Sequence, residues 1–154
     1  MKDVQPRTTA RNKMMDYLAR RDHSELELRQ KLKRLYTPEQ IETAINYGKE
    51  HGWISKDPNG DQGLAEKTAD FLHRKKKGIL FINAYLHKKG LPEVESDQEL
   101  ELEKAQYLVK NKYLLSKDLS REDYRKVLAK MSRFLMSRGF ATNTIQQIIA
   151  RGRK

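Results

Sequence analysis

Residues 21 to 32 read RDHSELELRQKL, and Asp22, His23 and Ser24 stand in a row as the acid, base and nucleophile of a hydrolytic triad. A working triad is assembled from distant positions, so that serine and carboxylate meet opposite nitrogens of one imidazole. Three consecutive residues do not offer that geometry, and the triplet predicts no hydrolase. The other histidines, at 51, 73 and 87, form no His-x-x-x-His pair and no metal triad with a nearby carboxylate. The chain has no cysteine, which excludes disulfides, thiolate metal sites and cysteine nucleophiles. Its eight glycines are scattered, and none precedes Lys-Ser or Lys-Thr at the spacing of a phosphate-binding loop. Glu99, Glu101 and Glu103 are splayed around a helix and read as a solvated first turn that suits the positive end of the helix dipole. No catalytic residue, metal or cofactor is expected.

Ser24 has a better use. Ser24-Glu25-Leu26-Glu27 is a capping box, in which the serine oxygen accepts the N3 amide and the glutamate reaches back to the cap amide. His23 then sits just ahead of a helix, lining a surface or closing the cap. Thr37-Pro38-Glu39-Gln40 repeats the box, with proline at the first helical position where its missing N–H costs nothing. Ser96 with Glu99 reads as a third box, and Ser120 and Thr142 as further N-caps. Gly52, Gly90 and Gly139 mark helix ends. Lys56-Asp57-Pro58-Asn59-Gly60-Asp61 is a turn cluster and the clearest boundary.

Between these signals the apolar residues recur with helical period. The stripes are Ala10, Met14 and Leu18; Leu28, Leu32 and Leu35; Ile41, Ala44, Ile45 and Gly48; and Leu64, Thr68, Phe71 and Leu72. They continue with Ile79, Ile82, Tyr85 and Leu86; Leu102, Ala105, Leu108 and Val109; Tyr124 through Leu135; and Ile145, Ile148 and Ile149. No strand-like alternation is sustained. Tyr85-Leu86-His87-Lys88-Lys89-Gly90-Leu91 matches Phe134-Leu135-Met136-Ser137-Arg138-Gly139-Phe140 about 50 residues later, in the range of helical repeats. Lys31 to Tyr36 reads as a looser first copy. The pattern predicts an all-α fold of three tandem three-helix repeats in an elongated, curved array, over 1–57, 58–98 and 99–154.

The charge points to the partner class. Lys and Arg number 32 against 21 Asp and Glu, a net charge of +11. Residues 1–40 carry +4, 41–72 carry −3, 73–92 carry +6, 93–120 carry −3 and 121–154 carry +7. Alternating blocks of this kind suit a polyanion, whose counterions are released as phosphates are neutralised. The candidate contact residues are Arg20, Arg21, Lys31, Lys33 and Arg34 in the first unit. In the second they are Arg74, Lys75, Lys76, Lys77, Lys88 and Lys89. In the third they are Arg121, Arg125, Lys126, Lys130, Arg133 and Arg138, of which Arg121, Arg125 and Lys126 are spaced to share a face opposite Val127 and Leu128. Tyr36, Tyr47, Tyr107 and Tyr113 offer base-stacking rings, against the commoner role of such residues as core edges. The N-terminal MKDVQPRTTARNK has no apolar leader segment, and no run approaches the roughly 18 apolar residues of a membrane span. A helix-turn-helix DNA binder is the alternative reading of residues 24–54. A winged version of it needs a hairpin after Gly52-Trp53-Ile54, where KDPNGDQG stands instead.

The stretch LARRDHSELELRQKLKR at 18–34, then Gly52-Trp53-Ile54, then RFLMSRGF at 133–140 with Ile145-Gln146-Gln147-Ile148, resembles the RecX family, bacterial regulators of the RecA recombinase. The likeness covers most of the chain in order and spacing. The family's middle Gly-Pro-x-Arg-Ile stretch reads Gly78-Ile79-Leu80-Phe81-Ile82 here, without the proline and arginine. Asp61-Gln62-Gly63-Leu64-Ala65 likewise lacks the arginine of the family's Asp-x-Arg-Phe-Ala-type segment. The resemblance implies three tandem three-helix repeats and a non-enzymatic, cytoplasmic protein. It implies binding in the groove of the RecA filament on single-stranded DNA, inhibiting ATP hydrolysis, strand exchange and co-protease activity in DNA repair and the SOS response. The expected partners are the RecA nucleoprotein filament and single- and double-stranded DNA, with no membrane, and the protein is expected to act as a monomer.

Overall fold

The computed structural model describes residues 8–113 and 119–152. The reading of the N-terminal stretch as free of a leader falls partly on residues 1–7, outside that range. The described residues form eight helices: α1 (Ala10–Arg20), α2 (Glu25–Leu32), α3 (Pro38–Glu50), α4 (Gln62–Arg74), α5 (Ile79–Lys88), α6 (Gln98–Lys112), α7 (Arg121–Ser137) and α8 (Thr142–Gly152). There is no strand among them, so the chain is all-α as its periodicity predicts. Residues 55–61 form a turn leading into α4, where a winged domain would place a hairpin. No helix of the described residues is long and apolar enough to cross a membrane.

Local chemistry sets the helix starts. Two of the three predicted boxes close, at α2 and α3: Ser24 Oγ accepts from the Glu27 amide and Thr37 Oγ1 from the Gln40 amide, with each N3 side chain reaching back. Ser120 caps α7. Two expectations shift. α6 is capped by Asp97, whose side chain accepts from the Leu100 amide, rather than by Ser96; aspartate adds a full negative charge at the positive helix end. Thr142 is the first residue of α8 rather than its cap.

Four helices end in one and the same turn. At α3, Trp53 N–H donates to Gly48 O and Gly52 N–H to Lys49 O. At α5, Leu91 donates to Leu86 O and Gly90 to His87 O; at α7, Phe140 donates to Leu135 O and Gly139 to Met136 O. This paired 6→1 and 5→2 closure needs a left-handed residue at the second position past the helix, and Gly52, Gly90 and Gly139 have φ of 74°, 71° and 89°. The fourth copy, at α4, runs from Lys77 to Leu72 O and from Lys76 to His73 O. Its left-handed seat holds Lys76, with φ 61°. The matched heptapeptides are therefore copies of a helix-ending turn. Lys31 to Tyr36 is not one, because α2 ends at Leu32 with the Lys33 cap right-handed and no left-handed residue between it and α3.

The chain divides into two compact units, Met1–Glu66 with Leu86–Glu93, and Lys67–Tyr85 with Val94–Lys154. In the first, α1, α2 and α3 pack on one another around Met14, Leu28, Leu32, Ile41 and Ile45. Leu35, expected on the α2 stripe, lies past the helix end and is exposed. In the second, α8 packs on α6 and α7 around Ala105, Met131, Leu135, Phe140 and Ile148. The stretch 58–98, expected to hold three helices, carries two, followed by an extended segment. The Asn83 amide pairs with both backbone groups of Val94 in that segment, at 2.9 and 3.1 Å. The buried face of α4 is Ala65, Ala69 and Leu72, so Phe71, expected on the apolar stripe, falls outside it and is 51% exposed.

Leu32 has no exposed surface. Leu32→Asp replaces about 1.5–3 kcal/mol of apolar burial with an unpaired buried carboxylate. Circular dichroism should show lost helicity and a lowered melting temperature; a wild-type transition in this variant would remove Leu32 from the core.

Candidate binding faces

The Asp-His-Ser triplet is structural. Ser24 is buried, accepting from the Glu27 amide at 3.1 Å while its hydroxyl donates to Lys89 O. His23, expected beside the cap, is buried. Its Nδ1 lies 3.0 Å from Arg21 O and its Nε2 2.8 Å from Lys31 Nζ. With Nδ1 donating to the carbonyl, Nε2 accepts from the ammonium, and no nitrogen is left to take a proton from serine.

Several first-unit cations serve the fold. Arg21 pairs with Glu27 at 2.8 Å, and Lys89 reaches the same carboxylate at 3.4 Å. Burial pushes the Glu27 carboxyl up. The Arg21 and Ser24 hydrogen bonds and the Lys89 and Arg21 charges outweigh it and hold Glu27 below its ordinary range. Lys31 is half-buried, bonded to His23 and 4.9 Å over the Tyr17 ring. Arg20, Lys33, Arg34 and Lys88 are exposed. Lys33 and Arg34 border an open cleft of about 1380 Å³ with Arg11, Thr37, Tyr47 and Glu50. Tyr36 is core, its hydroxyl donating to Thr8 O at 2.7 Å. Lys88 and Lys89 fall in the first unit, whereas Arg74 to Lys77 fall in the second.

In the second unit a buried network holds the turn that carries Lys75, Lys76 and Lys77. Lys104 is 2% exposed; its ammonium pairs with Glu101 and donates to His73 Nδ1 at 2.8 Å and to Lys77 O at 2.6 Å. Burial pulls the Lys104 ammonium below its ordinary range, against the support of Glu101. The other Glu101 oxygen accepts the Ile79 amide at 2.7 Å. Glu101 therefore turns inward, whereas Glu99 and Glu103 are solvated as expected. Where the family's proline would stand, Ile79 brings an N–H to a buried site, and Glu101 satisfies it. The turn is also pinned through its backbone. Gly78 N–H donates to Arg138 O at 2.8 Å and Leu80 N–H to Gly139 O at 2.9 Å, and the Arg138 side chain donates from Nη2 to Lys75 O at 3.2 Å. A Cβ at Gly78 would collide with the Gly139 carbonyl.

From this turn the lysines lie over aromatic rings: Lys75 over Phe71 at 5.5 Å, Lys76 over Tyr107 at 4.9 Å and Lys77 over Phe81 at 4.7 Å. Arg74 beside them is exposed. On α7, Arg121, Arg125, Lys126, Lys130 and Arg133 are all exposed, while Leu128, Met131 and Leu135 face the core. At 3.6 residues per turn the exposed cations split, with Arg121 and Arg125 on one flank and Lys126, Lys130 and Arg133 on the other. Lys126 leans to Glu122 at 3.8 Å. Arg138 is half-buried, and Lys112, a cation the charge pattern does not single out, sits 3.9 Å over Phe134. Tyr113 packs at the core edge, whereas Tyr107 is 56% exposed. Among the described residues no group of three or more His, Cys, Asp or Glu is placed to hold a metal ion.

A family model described as the first three-helix domain of RecX matches residues 10–47, and one described as its third three-helix domain matches 99–149. The regulatory protein RecX of Actinobacillus pleuropneumoniae serotype 5b is 31% identical over 136 residues, covering 86% of this chain and 85% of that protein. That of Leptothrix cholodnii is 28% identical, covering 97% and 92%. That of Clostridioides difficile is also 28% identical, over 91% of this chain, which spans about two thirds (66%) of its length. The crystal structure of RecX from Lactobacillus salivarius has the same fold, with a TM-score of 0.76 at 24% identity over 94% of each chain.

The two lysine–histidine bonds make stability depend on pH. His73 is held below its ordinary value by burial and then by the Lys104 charge, against Glu101, Asp70 and Asp97. Burial likewise lowers His23, with the Arg21 and Lys31 charges, against its Arg21 backbone bond and Glu27. Both rings are neutral in the fold and titrate near about 6.5 when unfolded. Their contribution is present above that value and is lost as pH falls through the lower folded values. The melting temperature should hold between about pH 7 and 8 and decline below about pH 6.5, ahead of the carboxylates. His73→Asn, which keeps an acceptor but cannot titrate, should decline less steeply between about pH 6.5 and 5; an unchanged slope would exclude His73.

Proposed function

The chain belongs to the RecX family, and on that premise we propose that it inhibits the RecA recombinase by binding in the groove of the RecA–single-stranded DNA filament. Like the relatives it matches, it is a regulatory protein rather than an enzyme. In this reading it lowers ATP hydrolysis, strand exchange and co-protease activity, acts as a monomer in the cytoplasm, and reads no sequence. The three repeats are proposed to run over 1–57, 58–98 and 99–154.

The observation that carries the reading is the solvent-facing arc of α7. Five cations, Arg121, Arg125, Lys126, Lys130 and Arg133, stand exposed on a helix whose other face is core. Surface cations with one weak intrahelical pair among them contribute little to folding. They are free to meet phosphates or acidic protein surface, and a nucleoprotein filament presents both. The exposed Arg20, Lys33, Arg34, Arg74 and Lys75 extend the same chemistry to other elements. Arg21, Lys31 and Lys89 are engaged in first-unit bonds and are assigned to that unit's architecture first.

The test is ATP hydrolysis by RecA on single-stranded DNA with the chain titrated in at moderate salt. Inhibition is expected well below one copy per recombinase. Arg125→Glu with Arg133→Glu should raise the half-inhibitory concentration about tenfold with helicity unchanged, since each reversal exchanges an attraction for a repulsion. No inhibition by the wild-type chain would overturn the reading, and full inhibition by the variant would remove α7 from it.

A further inference from the structure

Of the four helix ends that share one turn, three place glycine in the left-handed seat and one places Lys76, with φ 61°. A side chain there is strained, and local strain of this kind marks positions whose side chain has a use. The Lys76 ammonium lies 4.9 Å over the ring of Tyr107, a residue 56% exposed. Its neighbour Lys75 lies 5.5 Å over Phe71, 51% exposed. Neither ring belongs to the second unit's core cluster, although both are large enough to be expected there. Two adjacent lysines thus rest on two open aromatic faces, beside the exposed Arg74.

An exposed cation–π contact is weak, so a phosphate readily draws each ammonium away and uncovers the ring beneath. A nucleotide supplies both parts at once, a phosphate for the lysine and a planar base for the ring. In a duplex the bases are stacked inside and only the phosphates are available. A single strand offers both, which is the pairing of backbone charge and base stacking used by proteins that hold unpaired nucleic acid without reading sequence. We infer that Phe71, Arg74, Lys75, Lys76 and Tyr107 form a single-strand-selective nucleic-acid subsite, with Phe71 and Tyr107 as the stacking platforms. The inference deepens the filament reading by naming what this turn contacts, and rests on it only for the biological source of the strand.

The experiment uses the full chain, an oligothymidylate that cannot pair, and a duplex of the same length, without recombinase. Phe71→Leu with Tyr107→Leu should weaken single-strand binding at least about tenfold and leave duplex binding and the salt slope unchanged. Lys75→Gln with Lys76→Gln should weaken both forms and lower the single-strand salt slope by about 0.7 for each phosphate that is no longer neutralised. Lys76→Gly removes the strain, so it should hold or raise the melting temperature while single-strand affinity falls. Unchanged single-strand affinity in the ring variant, or equal losses for single strand and duplex, would overturn the inference; in the first case an acidic protein surface would be left as the basic turn's partner. Because the recombinase is absent, failure here leaves the ATPase result standing, and loss of ATPase inhibition leaves this one standing.

Discussion

The Lys104 ammonium lies where water does not reach, bonded to Glu101, His73 Nδ1 and Lys77 O. A buried charge is tolerable only when its hydrogen bonds are met, and removing one partner of such a pair strands the other at a cost of several kcal/mol. Lys104 therefore fixes three things at once. It sets the end of α4 through His73, the path of the following turn through Lys77, and, through Glu101, the first amide of α5. With that turn pinned from inside and its backbone bonded to Arg138 and Gly139, Lys75 and Lys76 have one direction left, outward over Phe71 and Tyr107. The second unit's surface chemistry depends on a charge in its interior.

What is legible in the sequence is local. Ser24 with Glu27, Thr37 with Gln40, and glycines 52, 90 and 139 act within a few residues of themselves, so type and spacing identify them. The same locality explains the misses. Lys76 occupies a glycine seat, and no propensity marks a lysine as left-handed. Glu101 groups with Glu99 and Glu103 because adjacent acids look alike until a partner from another element selects one. Phe71 falls one step off the real stripe, since Ala65 and Ala69 carry little hydrophobic signal yet allow the close packing that turns Phe71 out. The candidate site is legible as charge and illegible as arrangement. Of seventeen candidate cations, Arg21, Lys31 and Lys89 lie in first-unit bonds, which only tertiary structure reveals.

The departures from the family's middle stretch have a physical reading. Replacing proline with Ile79 adds an amide that must find an acceptor where water is excluded, and Glu101 is that acceptor. Phe81 stands where the family has arginine and lies beneath Lys77, so a cation remains over this position although it comes from a different residue. The basic character of the region is thus carried by the turn rather than by α5.

In the proposed function, exposed cations on α7 and the α4–α5 turn bring the chain into the filament groove. Electron cryo-microscopy of RecA filaments on single-stranded DNA, saturated with the chain, tests it directly. Continuous density along the groove is expected, with α7 and residues 74–77 facing the filament. Density confined to filament ends, or groove density with α7 turned to solvent, would contradict it.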